Sequence, residues 1–253
     1  MTPVEILVTC EHGGNDVPPQ YADLFRCDAA AAALDSHRGW DPGSLMMARC
    51  LAETFRGAFY YSTVTRLLVE LNRSLWHPHL FSEFSKPLNE KARLALLDDQ
   101  WHPYRTQVEK HIANSIAANR QVLHLSVHSF TPVFDGRLRT TDIGLLYAPS
   151  RPTETRFCRV WQTTLQKVEP SLTVHRNAPY KGVADGFVTW LRRHYSDDQY
   201  IGIELEVNQR FTATESVPDW KKMTSIVNSS LNSVLVDLFF RDTEPQTGLL
   251  LPQ

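Results

Sequence analysis

The residues best equipped for chemistry stand at the ends of apolar runs. Ile6-Leu7-Val8-Thr9-Cys10 leads directly into Glu11-His12-Gly13-Gly14-Asn15-Asp16. An imidazole among carboxylates can ligate a metal or relay a proton, and glycines let the backbone turn tightly beside a ligand. Glu11 and Asp16 are equally suited to capping a helix, and His12 to an ordinary polar loop. A second run, Gln121 to Val127, ends in His128-Ser129-Phe130 and repeats the pattern. His124, at even spacing from His128, reads as a satisfied core histidine. Two strands that each deliver a histidine to one sheet edge meet the demand of a mononuclear zinc site: two imidazoles, one carboxylate and an open position.

The run Tyr200-Ile201-Gly202-Ile203-Glu204-Leu205-Glu206-Val207-Asn208-Gln209 is strand-like but carries acids at i and i+2, which share one face. Carboxylates in such a run are costly to bury unless paired or functional. One of them beside an activated water is what general-base chemistry needs. Val64 to Ser74 is another strand-like run, and it carries Asn72-Arg73. That pair offers a planar fork of donors and a neutral amide, suited to gripping a small carboxylate. A surface ion pair is the alternative, and Arg66 fits either role. Asn177-Ala178-Pro179-Tyr180-Lys181-Gly182 is a polar, aromatic loop able to line a pocket, and Arg137 and Arg139 lie in the loop from Thr131 to Thr141.

The elements that must position these residues alternate along the chain. Strands are predicted at Ile6–Cys10, Ala58–Ser62, Val64–Ser74, Gln121–Val127, Asp142–Tyr147, Ser171–Arg176 and Tyr200–Gln209. Helices are predicted at Asp28–Leu34, Gly43–Phe55, Asn89–Asn119 (divided by Pro103), Pro152–Val168, Asp185–His194 and Asp219–Phe240, with a polar tail from Asp242 to Gln253. Asp41 followed by Pro42 reads as the cap and first residue of the helix at Gly43, which gives Asp41 a structural reading. Strands alternating with helices argue an α/β fold with a parallel or mixed sheet. In such sheets ligands sit beyond the carboxyl ends of the strands. Neither repeats nor linkers divide the chain, so a single domain over residues 1–253 is expected.

With 42% hydrophobic and 21% charged residues and a formal charge of -2, nothing in the composition favours a nucleic acid or a membrane as partner. The N-terminus lacks the basic and apolar pattern of a secretory signal. Cys10, Cys27, Cys50 and Cys158 are scattered, which fits free thiols and a cytoplasmic location.

With these residues collected, the chain resembles the N-formylglutamate amidohydrolase family from Leu7 to about Gln209. The resemblance rests on Cys10-Glu11-His12-Gly13-Gly14-Asn15, Arg66 with Asn72-Arg73, Val127-His128-Ser129-Phe130, Asn177 to Gly182, and Glu204-Leu205-Glu206-Val207-Asn208. It implies a three-layer α/β/α sandwich with a mixed, mostly parallel sheet, similar to zinc carboxypeptidases and aspartoacylases. It further implies one zinc per chain, held by His12, His128 and a carboxylate, for which Asp16 matches best and Glu11 competes. Glu206 would be the general base, with Arg137 or Arg139 at the oxyanion. Asn72 and Arg73 would hold the carboxylate of a small acidic N-acyl amino acid, with Arg139, Asn177, Tyr180 and Glu204 as further substrate contacts. The implied reaction is metal-assisted hydrolysis of an N-formyl or other N-acyl amino acid such as N-formylglutamate. His12-Gly13-Gly14-Asn15-Asp16 departs from the His-Ser-Gly-Thr-Glu of better-studied members, which points to a branch with a different acyl amino acid. A binding protein without turnover and a hydrolase using Cys10 as nucleophile are the rival readings.

Overall fold

The computed structural model describes residues 2–212 and 217–240, so the tail predicted over 242–253 lies outside the described residues. The strands are β1 (Val4–Cys10), β2 (Ala58–Tyr61), β3 (Gln121–Phe130), β4 (Val133–Phe134), β5 (Arg137–Leu138), β6 (Ile143–Leu146), β7 (Val174–Arg176) and β8 (Tyr200–Asn208). The helices are α1 (Asp28–Leu34), α2 (Ser44–Phe55), α3 (Glu90–Leu96), α4 (His102–Ala117), α5 (Pro152–Val168), α6 (Phe187–Leu191) and α7 (Val217–Leu235). Six strands form one sheet in the order β2-β1-β3-β8-β6-β7, while β4 and β5 pair as a separate small hairpin. All neighbours in the large sheet are parallel except β6 and β8. The sheet is therefore mixed and mostly parallel, with helices on both faces.

The alternation of side chains along the central strands explains the layers. Leu123, Leu125 and Val127 of β3 and Ile201, Ile203, Leu205 and Val207 of β8 point to one face, where α2, α5 and α7 cover them in a continuous apolar core. The opposite face begins apolar, with Leu7, Val122 and Tyr200 packed beside α4 and α6. It turns polar towards the carboxyl ends, where Thr9, His124, Ser126, His128, Glu204 and Glu206 are all buried. One face is apolar along its length; the other gathers its polar residues at the carboxyl ends of the strands.

Two local expectations are corrected. Val64 to Ser74 is not a strand: it turns repeatedly and keeps a single bridge, from Val64 to Asp16. Leu67 and Leu68 pack into a cluster with α1, whereas Val69 and Leu71 pack into the cluster beside α4. A two-residue period cannot serve both clusters, and turns can. Asp41 does not cap α2 with its side chain: its carbonyl accepts from the Ser44 amide at 3.1 Å and hydroxyl at 2.7 Å, while its carboxylate turns into the molecule. Gly43, at φ +84°, makes that entry possible, since a side chain is strained there. Midway along the chain β3 runs through His128 to Phe130, so that histidine is a strand residue.

Candidate metal centre and catalytic cavity

Three neighbouring parallel strands, β1, β3 and β8, end at one cavity of about 220 Å³. His12 arrives from the turn after β1, His128 from β3, and Glu204 and Glu206 from β8, where Glu206 sits in register with His128. The turn after β1 passes very close to the segment after β2. A Cβ on Gly14 would lie 2.7 Å from the Thr63 carbonyl oxygen, so only glycine fits there.

The core of the site is His12, Asp41 and His128. One donor atom from each lies within 4.8 Å of the others, and all three residues are buried. Asp41 Oδ2 stands between the imidazoles, 3.2 Å from His12 Nδ1 and 2.9 Å from His128 Nδ1. Each outer ring nitrogen has its own partner. His12 Nε2 lies 2.5 Å from Glu70 Oε1, and His128 Nε2 lies 2.9 Å from the Ser126 hydroxyl and 3.4 Å from Glu11 Oε2. Glu11 also accepts from the Tyr104 hydroxyl and the Ser126 hydroxyl, both at 2.9 Å. Partners of this kind fix ring orientation and basicity in histidine metal sites.

Electrostatics follow from that packing. Burial raises the Asp41 carboxyl, but His12, His128 and Arg66 more than reverse this and hold it well below the usual carboxylate range. Glu70 is likewise held down against burial by Arg66 and His12. Burial opposes a charge on His128, yet Asp41 and Glu11 raise it well above the ordinary histidine value. Glu206 goes the other way: burial, with Asp41 and Glu204 nearby, pushes it up to about 8 despite His128. Its Oε2 is buried without a hydrogen-bond partner among the described residues. A buried oxygen left bare in a polar cavity signals a functional group or a missing ligand.

The predicted residues divide. His12, His128, Glu204, Glu206, Asn72, Arg73 and Tyr180 line the cavity together. Asp16 does not: it is exposed, and its backbone amide and carbonyl pair with Thr63 and Thr65. Asp41 occupies the place between the histidines instead. Arg137 is exposed on the β4–β5 hairpin, away from the cavity. Arg139 props the rim: it donates to the Tyr180 hydroxyl at 3.0 Å and lies 4.5 Å from the Phe134 ring centre. Asn177 Oδ1 accepts from the Tyr147 and Gly182 amides at 3.1 and 3.0 Å, which shapes the loop behind Tyr180. Gly144 admits this loop, since a Cβ there would lie 2.2 Å from the Ala178 carbonyl oxygen.

Beside Arg73 the cavity is also lined by Arg66, whose Nε donates to Glu70 Oε2 at 2.7 Å and Nη1 to Asp41 Oδ1 at 3.3 Å. Glu70 also accepts from the Asn72 amide at 3.0 Å, so one carboxylate joins His12, Arg66 and the Asn72-Arg73 loop. Sequence reasoning missed Glu70, although an acid between Val69 and Leu71 carries the same signal that exposed Glu204 and Glu206. Cys10 is fully buried, its thiol donates to Ser44 Oγ at 3.3 Å, and burial pushes it up to about 12. A protonated thiol outside the cavity is no nucleophile.

The sequence model of the N-formylglutamate amidohydrolase family matches residues 4–213. Among solved structures, that of gene product Atu2144 from Agrobacterium tumefaciens is 28% identical, with a TM-score of 0.78 over 92% of this chain and 91% of that one. The N-formylglutamate amidohydrolase from Ralstonia eutropha JMP134 superposes with a TM-score of 0.68 over 94% and 96% of the two chains, at 14% identity. No curated protein sequence matches the chain. The match covers every strand of the central sheet and every cavity residue named above, and on it the chain belongs to the N-formylglutamate amidohydrolase family, hydrolases of linear amide C–N bonds.

Proposed function

We propose that this chain is a zinc-dependent amidohydrolase that removes the acyl group from an N-acyl amino acid of the N-formylglutamate type. The observation that carries this reading is one cavity holding a buried His-Asp-His donor cluster, a glutamate with one bare oxygen and the Asn72-Arg73 pair. Two imidazoles and one carboxylate are the donors that zinc takes in catalytic sites, and the bare Glu206 oxygen faces the same space. His12, Asp41 and His128 would hold the ion. A zinc bound there supplies Lewis acidity, polarising the amide and making water acidic enough to attack near neutral pH.

The remaining work falls to the chain's own groups. Arg73 pairs with the substrate α-carboxylate, which only a planar fork can grip through two parallel hydrogen bonds. Asn72 spends Oδ1 on the Phe187 amide, 2.7 Å away, and keeps its NH₂ for the same carboxylate. Glu206 takes a proton from the attacking water and returns it to the leaving amine. Its affinity for protons, raised by burial, suits the second half of that task, holding the proton until the amine leaves. Arg66, about a quarter exposed beside Asp41, faces the oxygen on which charge develops. Free thiols at all four cysteines fit a reducing, cytoplasmic setting for such an enzyme; no described helix is long and apolar enough to cross a membrane.

The test is metal analysis of the purified protein, followed by a hydrolysis screen of N-formyl and N-acetyl amino acids. About one zinc per chain and turnover abolished by chelator are expected. Full turnover of an N-acyl amino acid by metal-free protein would sink the reading.

A further inference from the structure

Behind the Asn72-Arg73 pair lies a buried cation with no part in the chemistry above. Arg105, on α4, is 2% exposed, which is rare for a guanidinium. The rings of Phe187, Trp101 and Trp190 enclose it, with centres 4.1, 4.4 and 5.3 Å from its Cζ. Its Nη1 donates to the carbonyl oxygens of Leu71 at 3.4 Å and Arg73 at 3.3 Å, the two that bracket Asn72. Trp101 Nε1 donates to the same Arg73 carbonyl at 3.0 Å.

This arrangement is expensive if its purpose is only to fill space. Burial lowers the affinity of Arg105 for its proton to about 10, and Glu109, one turn along α4, is the nearest offset. Well-packed apolar side chains of similar volume usually serve a core as well or better. The charge provides what they cannot: fixed donors aimed at the backbone of one loop. That loop is held on its other side as well. Arg73 donates to the Asp185 carbonyl, the Ser74 amide donates to Asp185 Oδ2 at 3.0 Å, and the Phe187 amide donates to Asn72. Phe187 also supplies the ring closest to Arg105, so the cage and the Asn72 contact share a residue.

We propose that Arg105, assisted by Trp101, is a positioning residue that sets the angle at which Asn72 and Arg73 meet the substrate carboxylate. The proposal rests on the reading that Arg73 grips that carboxylate. Arg105 itself touches no substrate. A bidentate contact tolerates little error in position or angle, so a loop shifted by a remote change binds the carboxylate less tightly.

The experiment is a double-mutant cycle on kcat and KM for an N-acyl amino acid, using Arg73→Met, Arg105→Met and the pair, with zinc content and melting temperature recorded for each. Arg105→Met should raise KM roughly tenfold, with kcat within about twofold and zinc retained, the signature of lost substrate binding. The double variant should be little worse than Arg73→Met alone, because a misplaced grip adds nothing once the grip is gone. Trp101→Phe keeps a ring and loses the donor, and a KM raised about threefold is expected there even if Arg105→Met folds poorly. An unchanged KM in folded Arg105→Met or Trp101→Phe, or fully additive effects, overturns the positioning role while leaving the amidohydrolase reading intact. An unchanged KM for Arg73→Met overturns the grip itself, and this role with it.

Discussion

At the scale of single residues, the choice of carboxylate separates a metal site from a scatter of polar groups. Asp41 stands between the two histidines, and Asp16 is exposed elsewhere. Asp41→Asn should therefore purify with little or no zinc, whereas Asp16→Asn should keep it, as measured by metal analysis of both. Equal zinc in the two variants would return the ligand to the open alternatives. Glu206→Gln keeps shape and hydrogen bonding but cannot accept a proton, so it should retain zinc and lose about 10²–10⁴ in kcat, the range for general acid–base catalysis. Near-normal kcat for Glu206→Gln with a collapse for Glu204→Gln would mean that the other acid of β8 does the work. His12, His128 and Glu206 were legible because each interrupts or ends an apolar strand, where a polar group needs a reason. Asp41 was not, because Asp-Pro before a helix has a sufficient local explanation, and only the tertiary structure shows the carboxylate turning away from it.

At the scale of elements, what matters is how strands carry polar groups through a core without unfolding it. On β3, His124 is fully buried, with Nε2 2.8 Å from Thr9 Oγ1 and Nδ1 2.6 Å from the Tyr200 hydroxyl. Burial, only partly offset by Glu11, lowers it from 6.5 to about 4. A histidine depressed in the native state is protonated first in the unfolded one, so its contribution is complete above pH 6.5 and is lost as pH falls towards 4. The loss is on the order of 3 kcal/mol across that window. His124→Asn, which does not titrate, should be less stable than the parent at pH 7.5 but lose less stability between pH 7 and pH 5. Parallel urea midpoints for the two proteins across that range would contradict this. The strands themselves were readable, since alternation and β-branched runs mark them directly. Val64 to Ser74 was misread for a physical reason: a short apolar run has the same composition whether it pairs as a strand or turns between two clusters.

At the scale of the whole molecule, the sheet works as a plate whose apolar face is sealed and whose polar face opens at one edge. Parallel neighbours β1, β3 and β8 bring their carboxyl ends together, so groups far apart in sequence meet without long loops. That convergence was foreseeable from the α/β alternation, but the contribution of the Asp41 loop and of Glu70 was not, because both sit on irregular backbone with no period to read. The cost of the convergence is electrostatic. Glu11, Asp41 and Glu70 are buried within contact of two histidines, and Arg66 is the nearest permanent cation. A cation held between His12, Asp41 and His128 relieves that excess and ties the turn after β1, the loop before α2 and strand β3 to one point. A ligand that binds only the native state at 100 to 1,000 times its Kd stabilises by about 3–4 kcal/mol. In a chain of this size that corresponds to a melting temperature higher by roughly 5–15 °C. Chelation of protein shown by analysis to hold zinc should lower the melting temperature by that amount, and re-addition of zinc should restore it. Asp41→Asn should melt at the same temperature with and without chelator, near the chelated parent. If the zinc-loaded parent melts unchanged after its metal is stripped, the ion is not joining these three segments, and the buried carboxylates must be balanced by His128 and Arg66 alone.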